Sequence, residues 1–333
     1  MESKNFKQYM LIYMFILCSV AIGWILIYTQ PVLMPLVFAV FYYFASLPLM
    51  DFLEGKLKIP KGLSSAITTL LIGGFSAALI LEVSFSLKSF FLEIGTYQES
   101  FLKFVDQVTS IAASYGFDID KNSYYDFFIS LPLKDYVANL VGDTFSFLGN
   151  AVLTLIIYFF LMLGRTNDKK GSPHFVDEIA HKVSRYVIYK IIVSTLTGLL
   201  VWLILLGFGV KLALMFGILA FILNFIPNIG SIIATALPVP MIALQFGFGF
   251  KFFLIIALCS AVQLFIGNFL DPKLMGKDLD LHPIVIVLSL IFWGLIWGLA
   301  GAFLAVPLTA TLKLMLSKIE TTKRLSEMLA GRL

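Results

Sequence analysis

Charged residues are scarce in this chain of 333 residues, of which only 13% are Asp, Glu, Lys or Arg. Soluble domains carry about a quarter charged residues, whereas the apolar share is 59% in this chain. A water-soluble fold would lack the polar side chains needed to cover so large an apolar interior. The shortage of charge therefore argues against a soluble globular fold and indicates a chain that lipid solvates.

Cysteine and histidine are also rare, with two cysteines and three histidines in the whole sequence. Cys18 and Cys259 each lie inside an apolar run, so neither a disulfide framework nor a cysteine-based zinc site is expected. His174, His181 and His282 are too widely spaced to suggest a metal cluster. We therefore expect no metal site and no cofactor.

Enzyme signatures are absent from the sequence. There is no G-x-x-x-x-G-K-[ST] phosphate loop, no H-E-x-x-H and no G-x-S-x-G. The chain is therefore predicted not to be an enzyme, and ATP-driven pumping by this chain alone is not expected. The net charge of +4 is small and the basic residues are spread over short loops, so no nucleic-acid-binding face is predicted.

Long apolar runs are the main feature of the sequence. Runs of about 18 residues or more can cross the hydrocarbon core as helices. The clear runs are 9–29, 32–50, 63–87, 146–164, 187–209 and 251–269. After residue 209, Gly and Pro divide the apolar sequence into shorter pieces, which are 212–226, 231–245, 284–298 and 299–316. We predict an all-α, polytopic transmembrane protein with about eight spans plus re-entrant or broken helices. Whether 212–245 forms two spans or one re-entrant hairpin stays open.

Lysine and arginine fall mainly in alternate connections between these runs. If the N-terminus is cytoplasmic, the cytoplasmic connections include the loop 56–61 and the stretch 165–190. Lys190, at the end of that stretch, is included among the cytoplasmic basic residues. Cytoplasmic loops carry the excess of Lys and Arg in membrane proteins. The bias therefore predicts a multi-pass protein with both termini in the cytoplasm.

The segment 88–145 is long and polar, and this orientation places it outside the membrane. From Phe90 to Tyr115, apolar and aromatic residues recur at spacings of four and three, which is typical of a helix packed against another. The packing partner is either a second helix of this chain near 133–148 or another subunit. The predicted organisation is N-terminal spans at 1–87, an extracytoplasmic helical segment at 88–145, a C-terminal transmembrane core at 146–317 and a basic cytoplasmic tail at 318–333.

An interrupted helix in the C-terminal half is the first candidate for a transport pathway. Pro, Asn and Gly break the apolar sequence at Asn224, Pro227, Asn228 and Gly230, which leaves backbone groups without helical partners. In hydrocarbon such groups must be buried in protein or line a wet cavity. Broken helices form the binding site of many secondary transporters. The alternative is a plain loop between two short spans.

Further polar residues complete the predicted substrate or ion pathway, namely Gln263, Asn268, Asp271 and Glu82. Glu82 is an acid well inside a predicted span, where an ionisable residue indicates function, although it could also reach outward to solvent. Asp271 is expected at the cytoplasmic membrane edge, where a charge is usually solvated.

Other prolines and glycines are predicted to break or pack the helices, and they are Pro238, Pro272, Pro283, Gly294, Gly298, Gly301 and Pro307. Gly294 and Gly298 are four residues apart, so they share a helix face and permit close helix approach. Gly301 followed by Pro307 predicts a tight turn and then a kinked helix.

Three blocks in the C-terminal half resemble the autoinducer-2 exporter family, also called the PerM-like permeases. They are NFIPNIGSIIATALP at 224–238, GNFLDPKLMGKDLDLHP at 267–283 and LIFWGLIWGLAGAFLAVPL at 290–308. Ser231 stands where many members of that family have proline. The order of spans and the outward segment extend the likeness over nearly the whole chain.

The resemblance implies a permease of the bacterial inner membrane that has no ATPase machinery. It also implies a homo-oligomer, with a pentamer as the candidate state. We expect secondary export of a small polar solute, such as an autoinducer-2-like signalling molecule. Sodium/proton antiport is a variant of the same class, and an envelope scaffold or assembly protein that works through 88–145 is an alternative of another class. The expected partners are the lipid bilayer, the transported solute or ion and further copies of the chain.

Overall fold

The computed structural model describes residues 2–93, 109–110, 133–165, 174–227, 229–271 and 281–332. Within these ranges the elements are helices joined by short turns, and none of them is a β-strand. The prediction of an all-α fold is therefore confirmed. Asn228 and Pro272 lie outside the described residues, as does the predicted helical seam of Phe90–Tyr115 apart from positions 90–93 and 109–110.

Several of the described helices follow one another with only a few residues between them. The described helices are α1 (Glu2–Tyr28), α2 (Gln30–Asp51), α3 (Lys61–Glu93), α4 (Leu133–Gly164), α5 (His174–Gly207), α6 (Ala213–Leu223), α7 (Ile229–Ala236), α8 (Val239–Phe246), α9 (Phe250–Phe265), α10 (Pro283–Ser317) and α11 (Lys323–Leu329). π-helical segments continue α2 at Phe52–Lys56 and α9 at Ile266–Leu270.

Several of these helices have the length and composition of membrane spans. Among the described residues there are six, which are Gln30–Lys56, Lys61–Ser89, Ala180–Gly207, Ile229–Phe246, Phe250–Leu270 and Pro283–Ser317. Two shorter apolar helices are Gly149–Gly164 and Ala213–Leu223. Large apolar side chains are exposed on them, such as Leu70, Phe250 and Leu295, as expected where lipid is the solvent. The polytopic transmembrane architecture is confirmed, and the number of crossings stays a prediction.

The helices form two compact units, each built from separate stretches of the chain. Unit 1 comprises Met1–Thr69, Leu153–Val187 and Lys277–Leu333. Unit 2 comprises Leu70–Val152 and Ile188–Gly276.

Within unit 1, α10 is a helical hairpin rather than one straight helix. Trp297 and Gly298 leave the helical conformation, and Gly298 has a φ of 63°, which glycine adopts without strain. Trp293 Nε1 donates a hydrogen bond of 3.1 Å to Thr309 Oγ1, although the two residues are 16 positions apart. On a straight helix they would be about 24 Å apart, so the two arms must fold back on each other.

Close backbone approach holds the arms of this hairpin together. A Cβ atom at Gly301 would lie 2.0 Å from the carbonyl oxygen of Trp293, so only glycine fits there. At Gly294 a Cβ would make an ordinary contact of 3.8 Å with Ala302. The turn is thus at Trp297–Gly298, at the boundary between the apolar pieces 284–298 and 299–316 of the sequence. Gly301, where a tight turn was suggested, instead provides the contact between the arms.

The ends of the same hairpin are joined by the C-terminal helix. The backbone nitrogen of His282 donates to the carbonyl oxygen of Leu329 at 3.0 Å. Ser326 Oγ donates to the carbonyl oxygen of Lys313 at 3.1 Å. Because His282 precedes the first arm and Lys313 lies in the last turns of the second, α11 ties the two ends of the hairpin together.

Within unit 2, α6 and α7 form a second, tighter hairpin. The chain turns at residues 224–227, and the backbone nitrogen of Gly230 donates to the carbonyl oxygen of Ile226 at 3.0 Å. A Cβ at Gly230 would lie 1.8 Å from the carbonyl oxygen of Leu223. The glycine therefore lets α7 start directly against the end of α6.

Candidate functional site

A row of polar residues on α5 faces the interior of unit 2. Lys190, Ser194 and Thr197 are spaced by four and three residues, so they share one side of the helix. Their exposed fractions are 1%, 0% and 0%. The three lie in the apolar stretch Ala180–Gly207, which is long enough to span a membrane. Polar groups so placed in a span are costly unless other polar groups satisfy them.

The buried ammonium group of Lys190 pairs with an acidic residue near the C-terminal end of unit 2. Its Nζ donates to Asp271 Oδ2 at 2.7 Å, with side-chain exposures of 1% for the lysine and 17% for the aspartate. The other carboxylate oxygen, Asp271 Oδ1, is buried and has no hydrogen-bond partner among the residues that the structure describes. The sequence suggested a solvated charge at the membrane edge for Asp271, whereas the structure places it in a largely buried ion pair.

A π-helical segment orients the side chain of Asp271 toward α5. In a plain α-helix, residues seven apart share a side, but the π-helical segment Ile266–Leu270 has a wider turn that inserts about one extra residue. Asp271 therefore falls on the side of Gln263, eight residues earlier. Gln263 is 6% exposed, and its Nε2 is buried without a hydrogen-bond partner in the described part of the chain. Insertions of this kind are frequent at functional sites.

Ser194 binds the turn of the α6–α7 hairpin. Asn224 Nδ2 donates to Ser194 Oγ at 3.1 Å, and Asn224 is 6% exposed. Lys190 and Ser194 are one helical turn apart, which is about 6 Å. Two residues that are distant in the sequence, Asn224 and Asp271, are therefore held on adjacent turns of α5. We call Lys190, Ser194, Asn224, Gln263 and Asp271 the α5 polar group.

Two glycines allow the hairpin to approach α5 closely enough for this bond. A Cβ at Gly198 would lie 2.7 Å from the carbonyl oxygen of Gly217. A Cβ at Gly217 would lie 2.6 Å from the Cβ of Trp202. Small residues at such crossings let the backbones of membrane helices come together.

Sequence reasoning missed Lys190, Ser194 and both glycines of this crossing. The distribution of Lys and Arg predicts only the orientation of the chain, and it places Lys190 among the cytoplasmic basic residues. The signal that could have found it is the run of Lys190, Ser194, Thr197 and Gly198 at helical spacing inside an apolar stretch.

The other residues predicted for the pathway lie apart from the α5 polar group or outside the described residues. Asn268 is exposed within the π-helical segment, and Pro227 is half-buried in the hairpin turn. Glu82 is half-buried on α3, and its Oε1 accepts a hydrogen bond of 3.1 Å from Ser86 Oγ on the same helix. Asn228 lies outside the described part of the chain.

The residues predicted to break helices stand at helix ends or inside helices. Pro238 immediately precedes α8, and Pro283 is the first residue of α10. Pro307 is buried inside the second arm of α10, and Thr311 Oγ1 donates to its carbonyl oxygen at 2.7 Å. Pro272 follows Asp271 directly and is not among the described residues.

The α5 polar group contains side chains that can bind a small ligand. It combines one cation, one carboxylate, two amides and a hydroxyl, with an unpartnered acceptor at Asp271 Oδ1 and an unpartnered donor at Gln263 Nε2. In the ranges that the structure describes, no three His, Cys, Asp or Glu side chains gather as metal ligands. The geometry suits a small polar or ionic ligand.

Comparison with known proteins gives a consistent result over most of the chain. A family model described as "AI-2E family transporter" matches residues 10–321. The AI-2 transport protein TqsA of Escherichia coli is 26% identical over 301 residues, which cover 87% of this chain and 87% of that protein. A candidate transport protein of Borreliella burgdorferi is 28% identical over 315 residues, or 91% of this chain and 85% of the relative. Another, from Haemophilus influenzae, is 30% identical over 284 residues, or 80% and 81% of the two chains.

Proposed function

Because this chain belongs to the AI-2E transporter family, we propose that it is a secondary transporter which exports a small polar solute across the bacterial inner membrane. Family membership and the membrane-spanning helices give it a membrane transport role. The solute, the direction and the pathway are the further content of the proposal.

The observation that supports a pathway through unit 2 is the α5 polar group. Ionisable residues inside membrane spans are rare and commonly mark substrate or ion pathways. Here a buried Lys190–Asp271 pair lies one helical turn from the Ser194–Asn224 bond, at an interrupted helix. Secondary transporters commonly bind their substrates at such interruptions.

The proposed solute carries both hydrogen-bond donors and acceptors. Asp271 Oδ1 would accept from a hydroxyl group, and Gln263 Nε2 would donate to an oxygen, because both atoms are buried without hydrogen-bond partners among the described residues. The name of the relative TqsA specifies AI-2 transport. An autoinducer-2-like molecule is therefore the first solute to test.

The distribution of basic residues supports the proposed orientation. Lys and Arg concentrate in the connections that lie inside when both termini are cytoplasmic. We further propose, from the family resemblance, that the chain assembles into a homo-oligomer. Native mass spectrometry of the detergent-solubilised protein would measure the number of copies, and a monomer alone would contradict the assembly.

The test of the pathway is solute flux in proteoliposomes, with Asn224→Leu as the variant. Losing the amide leaves Ser194 without its partner and removes a polar group from the turn, so flux should fall about tenfold, as expected for one buried hydrogen bond. The matched control is Thr195→Leu, because Thr195 is exposed on α5 and its hydroxyl donates to the carbonyl oxygen of Ile191 on the same helix. Its flux should equal that of the wild type.

The two variants also define the contrary results. A wild-type protein that moves no small polar solute in either direction would overturn the proposed function. Equal flux from Asn224→Leu and the wild type would contradict a transport pathway through unit 2. A thermal melt of each purified variant shows whether a loss of flux is a loss of folding.

A further inference from the structure

A cluster of charged side chains lies in unit 1, where the end of α2, the start of α3 and the end of α4 meet. We call it the α2–α3 charged cluster, and its members are Asp51, Glu54, Lys56, Lys58, Lys61 and Arg165. We propose that this cluster binds the headgroup of an anionic phospholipid that carries a hydroxyl group, such as phosphatidylglycerol. The inference goes beyond the proposed function, because it holds whichever solute the chain moves.

Arg165 connects the members of the cluster in space. Its Nη2 donates to Asp51 Oδ1 at 2.6 Å, although the two residues are 114 positions apart. Its carbonyl oxygen accepts a hydrogen bond from Lys61 Nζ. Glu54 lies about one turn after Asp51, on the π-helical segment that continues α2. The two acids and the two cations are therefore close together.

Two buried atoms of the cluster have no hydrogen-bond partner among the described residues. One is the donor Arg165 Nη1, and the other is the acceptor Glu54 Oε1. Buried polar atoms almost always bond to protein, water or a ligand. A ligand that satisfies both atoms needs an acceptor for the guanidinium group and a donor for the carboxylate. The phosphate and the hydroxyl groups of a phosphatidylglycerol headgroup are such a combination.

Two exposed lysines favour an anionic ligand. Lys56 ends the π-helical segment, and Lys58 follows in the turn before α3. With them the cluster contains four cations and two carboxylates, which gives a net charge of +2. Basic residues beside membrane spans attract anionic lipids. An anionic phosphodiester offsets part of this charge, whereas a zwitterionic headgroup does not.

Exposed apolar side chains around these lysines favour a lipid over a free anion. Phe52, Leu57 and Leu63 are 47%, 55% and 54% exposed. Lys56 Nζ lies 5.6 Å from the centroid of the Phe52 ring. Basic side chains near the ends of spans extend their charge toward the headgroups while apolar groups stay among the acyl chains. A phospholipid contacts both kinds of side chain at once, and inorganic phosphate contacts only the charges.

The turn that carries Lys58 has an unusual and well-defined backbone. Lys58 has a φ of 52°, a region that residues other than glycine seldom adopt. Hydrogen bonds fix the turn on both sides, from the Leu57 nitrogen to the Phe52 carbonyl at 3.3 Å and from the Ile59 nitrogen to the Leu53 carbonyl at 3.1 Å. Backbone of this kind is concentrated at ligand-binding positions. The turn therefore holds its shape before a lipid binds.

The test is lipid binding to the delipidated full chain in detergent, measured by native mass spectrometry. Phosphatidylglycerol is compared with phosphatidylcholine that has the same acyl chains, and the wild type should prefer phosphatidylglycerol. Lys56→Gln/Lys58→Gln should weaken phosphatidylglycerol binding by about 25-fold, because each basic residue at a membrane surface contributes about fivefold. The matched control is Lys88→Gln/Lys251→Gln, which removes the same charge from two exposed lysines outside the cluster and should bind like the wild type.

A second comparison tests the headgroup hydroxyl. Phosphatidylmethanol has the charge of phosphatidylglycerol but no headgroup hydroxyl group. The wild type should bind phosphatidylglycerol about tenfold more tightly, because a hydroxyl group can donate to the Glu54 carboxylate. Glu54→Leu should bind the two lipids equally. Equal binding of the two lipids by the wild type would contradict the hydroxylated class of ligand.

Three results would overturn the lipid site. They are equal binding of phosphatidylglycerol and phosphatidylcholine by the wild type, unchanged binding in Lys56→Gln/Lys58→Gln, and an equal loss in the control pair. Displacement of the bound lipid by an excess of inorganic phosphate would assign the cluster to a free anion instead. None of these measurements involves solute flux, so a failure of the proposed export leaves the lipid site standing, and a failure of the lipid site leaves the export standing.

Discussion

At the residue scale, the most informative side chain is Lys190, a charge placed inside a membrane-spanning helix. Its position is tolerable because Asp271 provides an acceptor at 2.7 Å. Burying two charges has a large desolvation cost, and pairing offsets that cost only when both partners are present. The pair should therefore matter to stability as a unit.

This reasoning predicts the outcome of a double-variant cycle. Lys190→Met alone leaves the Asp271 carboxylate buried and unpaired, which should destabilise the protein by about 3–5 kcal/mol. The double variant Lys190→Met/Asp271→Leu removes both charges and should recover most of the loss. Thermal unfolding of the purified proteins measures both effects. Additive losses in the double variant would show that the two side chains do not act as a pair.

At the element scale, close helix crossings hold the α5 polar group together. The α6 helix reaches α5 at Gly198 and Gly217, where even one methyl group would meet backbone atoms. The Asn224–Ser194 bond lies about one turn along α5 from that crossing. Separating the two helices should therefore break the bond without changing either of its residues.

Gly198→Ala tests this dependence. The new Cβ would lie 2.7 Å from the carbonyl oxygen of Gly217, so α6 must move away. We expect a loss of about 1–3 kcal/mol in stability, as for overpacked cores, together with a fall in solute flux. The control on the same helix is Gly207→Ala, where a Cβ meets nothing within 4 Å. Unchanged melting and flux in Gly198→Ala would contradict the close crossing.

At the scale of the whole molecule, the placement of charge predicts the orientation in the membrane. Lys and Arg are enriched on one side of the predicted spans, and that side is cytoplasmic under the positive-inside rule. We therefore predict that both termini face the cytoplasm and that the α5–α6 turn near Lys211 faces outward.

Cysteine labelling tests that orientation. In a background with Cys18 and Cys259 replaced by serine, Lys211→Cys should react with a membrane-impermeant maleimide added to spheroplasts. Glu320→Cys, which is also an exposed position, should react only after lysis. The opposite pattern would reverse the orientation and with it the proposed direction of export.

The membrane fold was predictable because it depends on the hydropathy summed over contiguous stretches of the sequence. A run of about 20 apolar residues spans the hydrocarbon core whatever its neighbours are. The hairpin of α10 was predictable in kind, since glycines and a proline stand together in its sequence. The break after residue 298 between two apolar pieces was predicted as well, whereas the role of Gly301 was not, because it depends on which glycine meets the Trp293 carbonyl in the folded chain.

The sequence by itself determined that this chain is an all-α membrane protein of a transporter family, because hydropathy, span length and motif order are properties of the linear chain. Only the tertiary structure decided that Lys190 pairs with Asp271 and Ser194 with Asn224. Those contacts depend on a π-helical segment that turns Asp271 toward α5 and on a glycine crossing that brings α6 against it. Neither the rotation of a helix nor the distance between two helices can be read from residue spacing alone.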